Sequence, residues 1–338
     1  MPSRQTDTAP VTLTVPTPFP VGPVNVYLLS GPPLTLIDTG AHVPACYEAL
    51  SRGLGTHGAA IADLERVILT HHHLDHSGLV GRIQDESRAE VCAHPQTLQE
   101  RRLGYAYDDE HRRFFYGLMI ELGAPPGEAE QVMSLWDAYR HLAAPFTVDH
   151  VFEDGGAVGP FTTYFVPGHS ATDTLLVHRA DHYSLTGDHI LENINPNPLI
   201  RRPEPGQARP KSLVEYQQSL RHSRALELGR CFPAHGIPFV DHRRVIDRIL
   251  AQHERKIDRI PHDLGDAGIT PYALATHLYP RMRRPDLYLC LSLATGQLEV
   301  LEDRGLMRSE HRNGILHFFH SVQAAPCSKN GSTRGDER

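Results

Sequence analysis

An α/β fold followed by a smaller helix-and-hairpin unit is what this 338-residue sequence predicts, and three observations predict it. Short apolar runs bounded by Gly, Pro, Asn and Asp recur from Val11 to Phe232 and alternate with helical spacing, which is how a mixed sheet protein reads. Several of these runs end directly in His or Asp, so one rim of the sheets can gather chemistry-bearing groups. After His235 the composition changes: helical spacing takes over and ends in an Asn-Gly turn between apolar residues.

The elements follow in order. Val11–Val15 alternates apolar residues with Thr, as a half-buried strand does. Val24–Leu29 and Leu34–Gly40 read as two strands of a hairpin joined through Ser30-Gly31-Pro32-Pro33. Pro44–Leu54 reads as a helix, Ile61–Leu64 as the lead into a short buried strand at Arg66–Leu69. Leu79–Ile83 opens a helix and Ala89–Ala93 is a strand. Residues 97–148 change character: helical spacing with Tyr105, Tyr107, Phe114, Phe115, Tyr116, Met119, Ile120, Trp136 and Tyr139, divided by Pro125-Pro126-Gly127. Ordinary packing accounts for most of these side chains, but the insert as a whole is expected to lie across the mouth of a site, shape its substrate pocket and control substrate choice. Strands then follow at Phe161–Val166, Leu175–His178 and Tyr183–Leu185. Five prolines between 193 and 210 predict a long ordered loop, Leu213–Leu228 a helix, and Cys231-Phe232-Pro233 the last strand.

One stretch carries the chemistry. Thr70-His71-His72-His73-Leu74-Asp75-His76-Ser77-Gly78 follows the buried strand and holds five residues able to bind a metal. Alternate residues of an extended segment point the same way, so His71 and His73 can converge on one ion. Asp75 and His76 come after the turn and can face a second ion beside it. Imidazole with carboxylate suits zinc first, with manganese(II) or iron(II) as alternatives. A solvated polar loop in a chain with 23 histidines is the bland reading, and the spacing speaks against it.

The stretch resembles the metal-binding signature of the metallo-β-lactamase superfamily of αββα metal-dependent hydrolases. That resemblance implies a four-layer αββα sandwich. It also gives meaning to three isolated residues at strand ends: His169 in Pro-Gly-His, Asp188 in Gly-Asp and His235 in Pro-Ala-His-Gly. By resemblance, His71, His73 and His169 bind a first metal, Asp75, His76 and His235 a second, and Asp188 bridges both. Asp38, in Asp-Thr-Gly, braces the metal loop from behind without being a ligand. His72, His94, His178, His182 and His189 fall outside the set. A two-metal site of this kind implies a bridging hydroxide that attacks a carbonyl carbon or a phosphorus, with the ions stabilising the oxyanion. Asp75 and Asp188 are then the catalytic carboxylates, Asp75 taking the proton and passing it to the leaving group.

Residues 11–244 are accordingly expected to form the catalytic domain, with the insert at about 97–148, and 245–322 a second domain; 1–10 and 323–338 are expected to be disordered. Helices at Val245–Ile260, Tyr272–Tyr279 and Leu287–Leu301, the second capped by Thr270 before Pro271, precede the hairpin around Asn313-Gly314. Three helices and a hairpin resemble the C-terminal winged helix of the β-lactamase-like-protein-2 branch, some of whose members are ribonucleases.

Charge and cysteine usage bound the rest. The net charge of −7 weighs against a protein whose main task is to wrap nucleic acid, and Arg281, Arg283 and Arg284 form only a small basic cluster among acids. No apolar run reaches the roughly 18 residues that span a bilayer, and the start lacks the apolar core of a secretory signal. Five scattered cysteines (Cys46, Cys92, Cys231, Cys290, Cys327) without a CxxC read as reduced thiols in a cytoplasm. The expectation is therefore a cytoplasmic metal-dependent hydrolase of a small ester, thioester or lactone, away from membranes and compatible with a homodimer. An endoribonuclease, and a non-catalytic protein that keeps metals as structure, are the alternatives.

Overall fold

Alternation along the strands decides which side chains face which layer. The computed structural model describes residues 9–321 apart from 101–108, 143, 205, 261–263, 265 and 266. Tyr105, Tyr107, Cys327, the expected tail at 323–338 and all of the expected frayed start except Ala9 and Pro10 lie outside the described residues. In the first sheet, β1 (Val11–Val15), β2 (Val24–Leu29), β3 (Thr35–Ile37), β4 (Arg66–Ile68), β5 (Glu90–Ala93) and β6 (His150–Val151) lie side by side in that order. β1 to β3 pair antiparallel, β3 to β6 parallel. Successive residues point to opposite faces. Val26, Leu28, Leu36, Val67 and Val91 therefore pack under α1 (Pro44–Thr56) and α3 (Val80–Ser87), while Tyr27, Ile37, Ile68 and Cys92 face the second sheet.

That second sheet has the order β11 (Arg230–Pro233), β10 (Tyr183–Gly187), β9 (Thr174–His178), β8 (Phe161–Phe165), β7 (Ala157–Val158). Phe161, Leu176, Tyr183, Leu185 and Phe232 close the inner layer against the first sheet. Leu175 and Cys231 point the other way, into a core with α6 (Ser212–Ala225) and α7 (His242–Ile257). The result is the αββα layering.

The two helices of the insert are α4 (Asp109–Glu121) and α5 (Pro126–Tyr139). The break falls at Gly123-Ala124, and Pro126 opens α5 at a position where a missing N–H costs nothing. In the C-terminal part, Thr270 Oγ1 accepts from Ala273 N at 3.1 Å and caps α8 (Pro271–Leu278). The apolar α9 (Leu287–Asp303) follows, then the hairpin β12 (Met307–Arg312) and β13 (Ile315–His320). Asn313 and Gly314 both take positive φ, 51° and 79°, as a two-residue hairpin turn requires. Ile269 and Phe318 exchange two backbone hydrogen bonds of 2.9 Å, so a fragment of a third strand lies beside the hairpin. Met119 and Val132 of the insert, Tyr216 and Leu220 of α6, and Leu291, Leu298 and Phe318 of the C-terminal elements share one apolar cluster.

Three local expectations shift. Leu34–Gly40 is extended only as Thr35–Ile37, because Asp38 turns into left-handed backbone (φ 58°) to aim its carboxylate at Thr70. Ile61–Asp63 is a 3-10 turn, closed by Asp63 Oδ2 accepting from Ala60 N. Val245 is not the start of its helix: Asp241 accepts from Arg244 N and begins α7 at His242. Among the described residues, no helix is long and apolar enough to cross a membrane. Cys46, Cys92, Cys231 and Cys290 are free and buried.

Candidate metal centre

The metal loop begins where β4 ends. Past β4 the chain bends at Thr70 and again at His73; His71 and His73 still meet, and His73 (φ −60°, ψ 157°) stands as N-cap of the single-turn helix α2 (Leu74–Ser77). Asp75 and His76 thus sit on a helical turn, not in an open loop as the spacing suggested. That turn brings His76 back against His71, with ring centres 3.9 Å apart, and leaves Asp75 beside His76.

The other three residues arrive from strand ends of the second sheet. His169 Nε2 and His71 Nε2 each lie 3.0 Å from His73 Nδ1, which gathers one group of three nitrogens. Asp75, His76 and His235 form a second group: His235 Nε2 is 3.4 Å from Asp75 Oδ2, and His76 Nε2 is 3.7 Å from Asp75 Oδ1. Asp188 stands between the groups. Its Oδ2 is 3.5 Å from His169 Nε2, and its Oδ1 is 3.5 Å from His235 Nε2 and 3.8 Å from His76 Nε2. Asp188 reaches this position because Gly187 takes φ 49° and leaves room for Thr70; a Cβ there would come within 2.9 Å of Thr70.

Behind the donors lies a ring of hydrogen bonds that fixes which nitrogen faces inward. Asp38 Oδ2 accepts from His76 Nδ1 at 2.9 Å and from Thr70 Oγ1 at 2.7 Å, and its Oδ1 accepts from Thr70 N at 2.8 Å. The Pro23 carbonyl accepts from His235 Nδ1 at 2.8 Å, the Asn197 carbonyl from His169 Nδ1 at 3.0 Å. A carbonyl can only accept, so each Nδ1 carries the proton and each Nε2 offers its lone pair. His72 turns away to Thr172, His178 stacks on Tyr183, His94 packs on Phe165, and His189 bonds Ser223.

The donor set fits two divalent cations. His76 Nε2, His235 Nε2 and Asp188 Oδ1 are buried without a hydrogen-bond partner, a state that costs about 1–3 kcal/mol per group unless something else binds there. Burial holds His71 well below its ordinary value and His73 down to about 3, so both offer neutral imidazole. Burial pushes the Asp188 carboxyl up, but His235, His76 and His169 outweigh it and hold the group ionised. Burial pulls His76 down, and Asp75, Asp38 and Asp188 more than reverse that, which marks the place as one that favours positive charge.

All seven residues singled out from the sequence are thus brought together. What sequence reading missed is the support beyond Asp38. Asp173 accepts from Ser170 N and Ser170 Oγ, both at 2.7 Å, and shapes the turn after His169; the Ser-Ala-Thr-Asp spacing was its signal. The Pro23 and Asn197 carbonyls had none, since a backbone oxygen is the same in every residue.

Comparison with known proteins bears on family and fold. The family model described as metallo-beta-lactamase superfamily matches residues 19–235. The chain is 32% identical over 312 residues to the probable metallo-hydrolase YqjP of Bacillus subtilis (strain 168), covering 91% of this chain and 97% of that protein. It is 24% identical to an atrochrysone carboxyl ACP thioesterase of Aspergillus fumigatus, over 73% of this chain and 45% of that relative's length. Among solved structures, a metallo-beta-lactamase family protein from Thermus thermophilus superposes with a TM-score of 0.78 at 24% identity, over 92% of this chain and 98% of the other. A beta-lactamase domain protein from Burkholderia ambifaria gives 0.77 at 21% identity, over 92% of each.

Proposed function

This chain belongs to the metallo-beta-lactamase superfamily and is a hydrolase of it, and from that premise we propose that it cleaves a small ester, thioester or lactone at a two-metal site. The observation that carries the reading is Asp188, whose two oxygens face two separate groups of donors. In this reading His71, His73 and His169 hold one ion, Asp75, His76 and His235 the other, and Asp188 both. Zinc suits the mixed imidazole and carboxylate donors first. When bound, the two ions would acidify a water and steady the oxyanion of the acyl group under attack.

The chain's own groups do the rest. Asp38, Pro23 O and Asn197 O orient the imidazoles, so little reorganisation accompanies the reaction. Asp75 reaches the centre from α2 with an ionised carboxylate and is the group we assign to accept the water's proton and return it to the leaving oxygen or sulfur. An acyl substrate is favoured by the thioesterase among the relatives and by the net charge of −7.

The C-terminal helices, the hairpin and the Ile269–Phe318 bridge support reading residues 245–322 as a winged helix beside a catalytic unit at 11–244. That pattern keeps an RNA substrate as the second reading. Against it, two arginines of the hairpin and one of the expected basic cluster are already paired: Arg308 and Arg312 both donate to Glu310 at 2.6 Å, and Arg283 donates to Asp286 at 3.0 Å. Free buried thiols accord with a reducing compartment such as the cytoplasm.

The test sets an acyl-thioester, a simple ester, a lactone, a phosphodiester and single-stranded RNA side by side, with elemental analysis of the same preparation. Two ions per chain and chelator-sensitive turnover of an acyl substrate are expected. RNA cleavage abolished by Asp75→Ala, with RNA affinity falling steeply as salt rises, would put the ribonuclease first. Less than one ion per chain after metal-replete purification would sink the two-metal reading.

A further inference from the structure

The loop from Asp188 to Ser212 contains one residue that touches both the metal centre and the C-terminal helix. The Asn197 carbonyl holds His169 Nδ1–H, and the Asn197 side-chain amide donates to Leu289 O in α9 at 3.1 Å. Three residues further, Ile200 N donates to Ser292 Oγ at 3.2 Å and Ile200 O accepts from Tyr288 OH, both buried. Beyond that, Arg209 pairs with Glu299 and Lys211 Nζ lies 2.8 Å from Glu302 Oε2. The partners on α9 shift from 288–292 for residues 197–200 to 299–302 for residues 209–211, so these two stretches lie along the helix in the same direction.

This arrangement has a mechanical consequence. Pro196 and Pro198 flank Asn197 and lack N–H groups, so no sheet or helix ladder fixes this part of the loop. Its place is set by its anchors. The acceptor on Nδ1 sets the rotation of a ligating imidazole, and an acceptor carried on a loop is only as fixed as the loop. We propose that α9 is a working part of the metal centre and that Asn197 is a positioning residue: with the Ile200 anchor it holds His169 Nε2 at the first ion. The C-terminal unit would then tune metal affinity, whatever else it binds. This rests on His169 being a ligand.

The experiment titrates the full-length, chelator-stripped chain with cobalt(II) and follows the visible absorption. The His169→Ala variant identifies which of the two binding steps involves His169. Asn197→Ala is expected to weaken that step by roughly tenfold or more, leave the other within about twofold, and leave the melting temperature of the stripped protein unchanged. Tyr288→Phe, which removes one of the two anchors at Ile200 with little change of volume and leaves Ser292 in place, should move the same step in the same direction. Wild-type binding curves in both variants would overturn the link. So would equal weakening of both steps with a lower melting temperature, which is what plain packing gives. A wild-type chain that takes up no cobalt would sink the metal-site reading and the link together, whereas normal wild-type uptake with unaltered variants sinks the link alone.

Discussion

At Asp188 a single carboxylate faces imidazoles on two sides, and an amide cannot take its place. Asn has one oxygen and no charge, so Asp188→Asn leaves one of the two donor groups without its share of negative charge. We expect kcat/KM on the acyl substrate to fall by about 100-fold or more while the urea midpoint stays within experimental spread. A variant with near-normal turnover would remove Asp188 from the bridging role. Asp38 gives the complementary case. Its left-handed backbone, φ 58°, suits Asn as well as Asp, so Asp38→Asn keeps the turn. What it loses is the acceptor that holds His76 Nδ1–H. Metal affinity at the Asp75–His76–His235 group should drop about 10–100-fold, read by chelator competition, with the melting temperature little changed. These positions were legible because metal ligands are a short list of residue types at strand ends. Of their hydrogen-bonding partners only Asp38 was legible, because a side chain in the Asp-Thr-Gly stretch supplies it.

At the scale of elements, the insert is where sequence and structure divide. Its helical spacing and its break were readable, yet its aromatic side chains could have lined a pocket or filled a core. Phe115 and Met119 are buried, and the Phe115, Trp136 and Tyr288 rings meet edge to face at 4.8 to 5.7 Å, which ties α4 and α5 to α9. At the insert's far end, Leu142 and Pro145 press on the turn after the metal loop: a Cβ at Gly78 would lie 2.6 Å from Leu142 O, and one at Gly81 2.0 Å from Pro145 O. The two glycines thus let the returning chain seat against α3. Phe115→Ala should cost about 3–5 kcal/mol of stability and lower turnover alike for every acyl chain length. A change in chain-length preference at unchanged stability would instead put that ring against the substrate.

For the whole molecule, burial of titratable groups away from the site sets a pH dependence. Burial holds His94 and His253 down to about 4. Between that value and the unfolded value of 6.5, the unfolded chain binds these protons and the folded chain does not. The stability each histidine contributes is therefore fully present above about pH 6.5 and is lost as pH falls toward 4, at most roughly 3 kcal/mol each. Urea midpoints measured between pH 7.5 and 5 with chelator present, so that metal loss plays no part, should fall with pH, and less steeply in His253→Gln. An unchanged slope in the variant would mean that His253 keeps its proton in the folded state.

The sequence by itself determined the kind of chemistry, and its resemblance to the family implied the order of the layers. His71, His73, Asp75 and His76 carry their meaning in local spacing, and alternation in the strands assigns inner and outer faces without any long-range knowledge. Only the tertiary structure decided what lies behind the donors. The carbonyls of Pro23 and Asn197 hold His235 and His169 from 212 and 28 residues away in the chain, and a backbone carbonyl has no residue-specific signature. The same holds for α9: the sequence predicted a helix at Leu287–Leu301, but the choice of the proline-rich loop as its neighbour came from where Asn197 and Ile200 found partners in space.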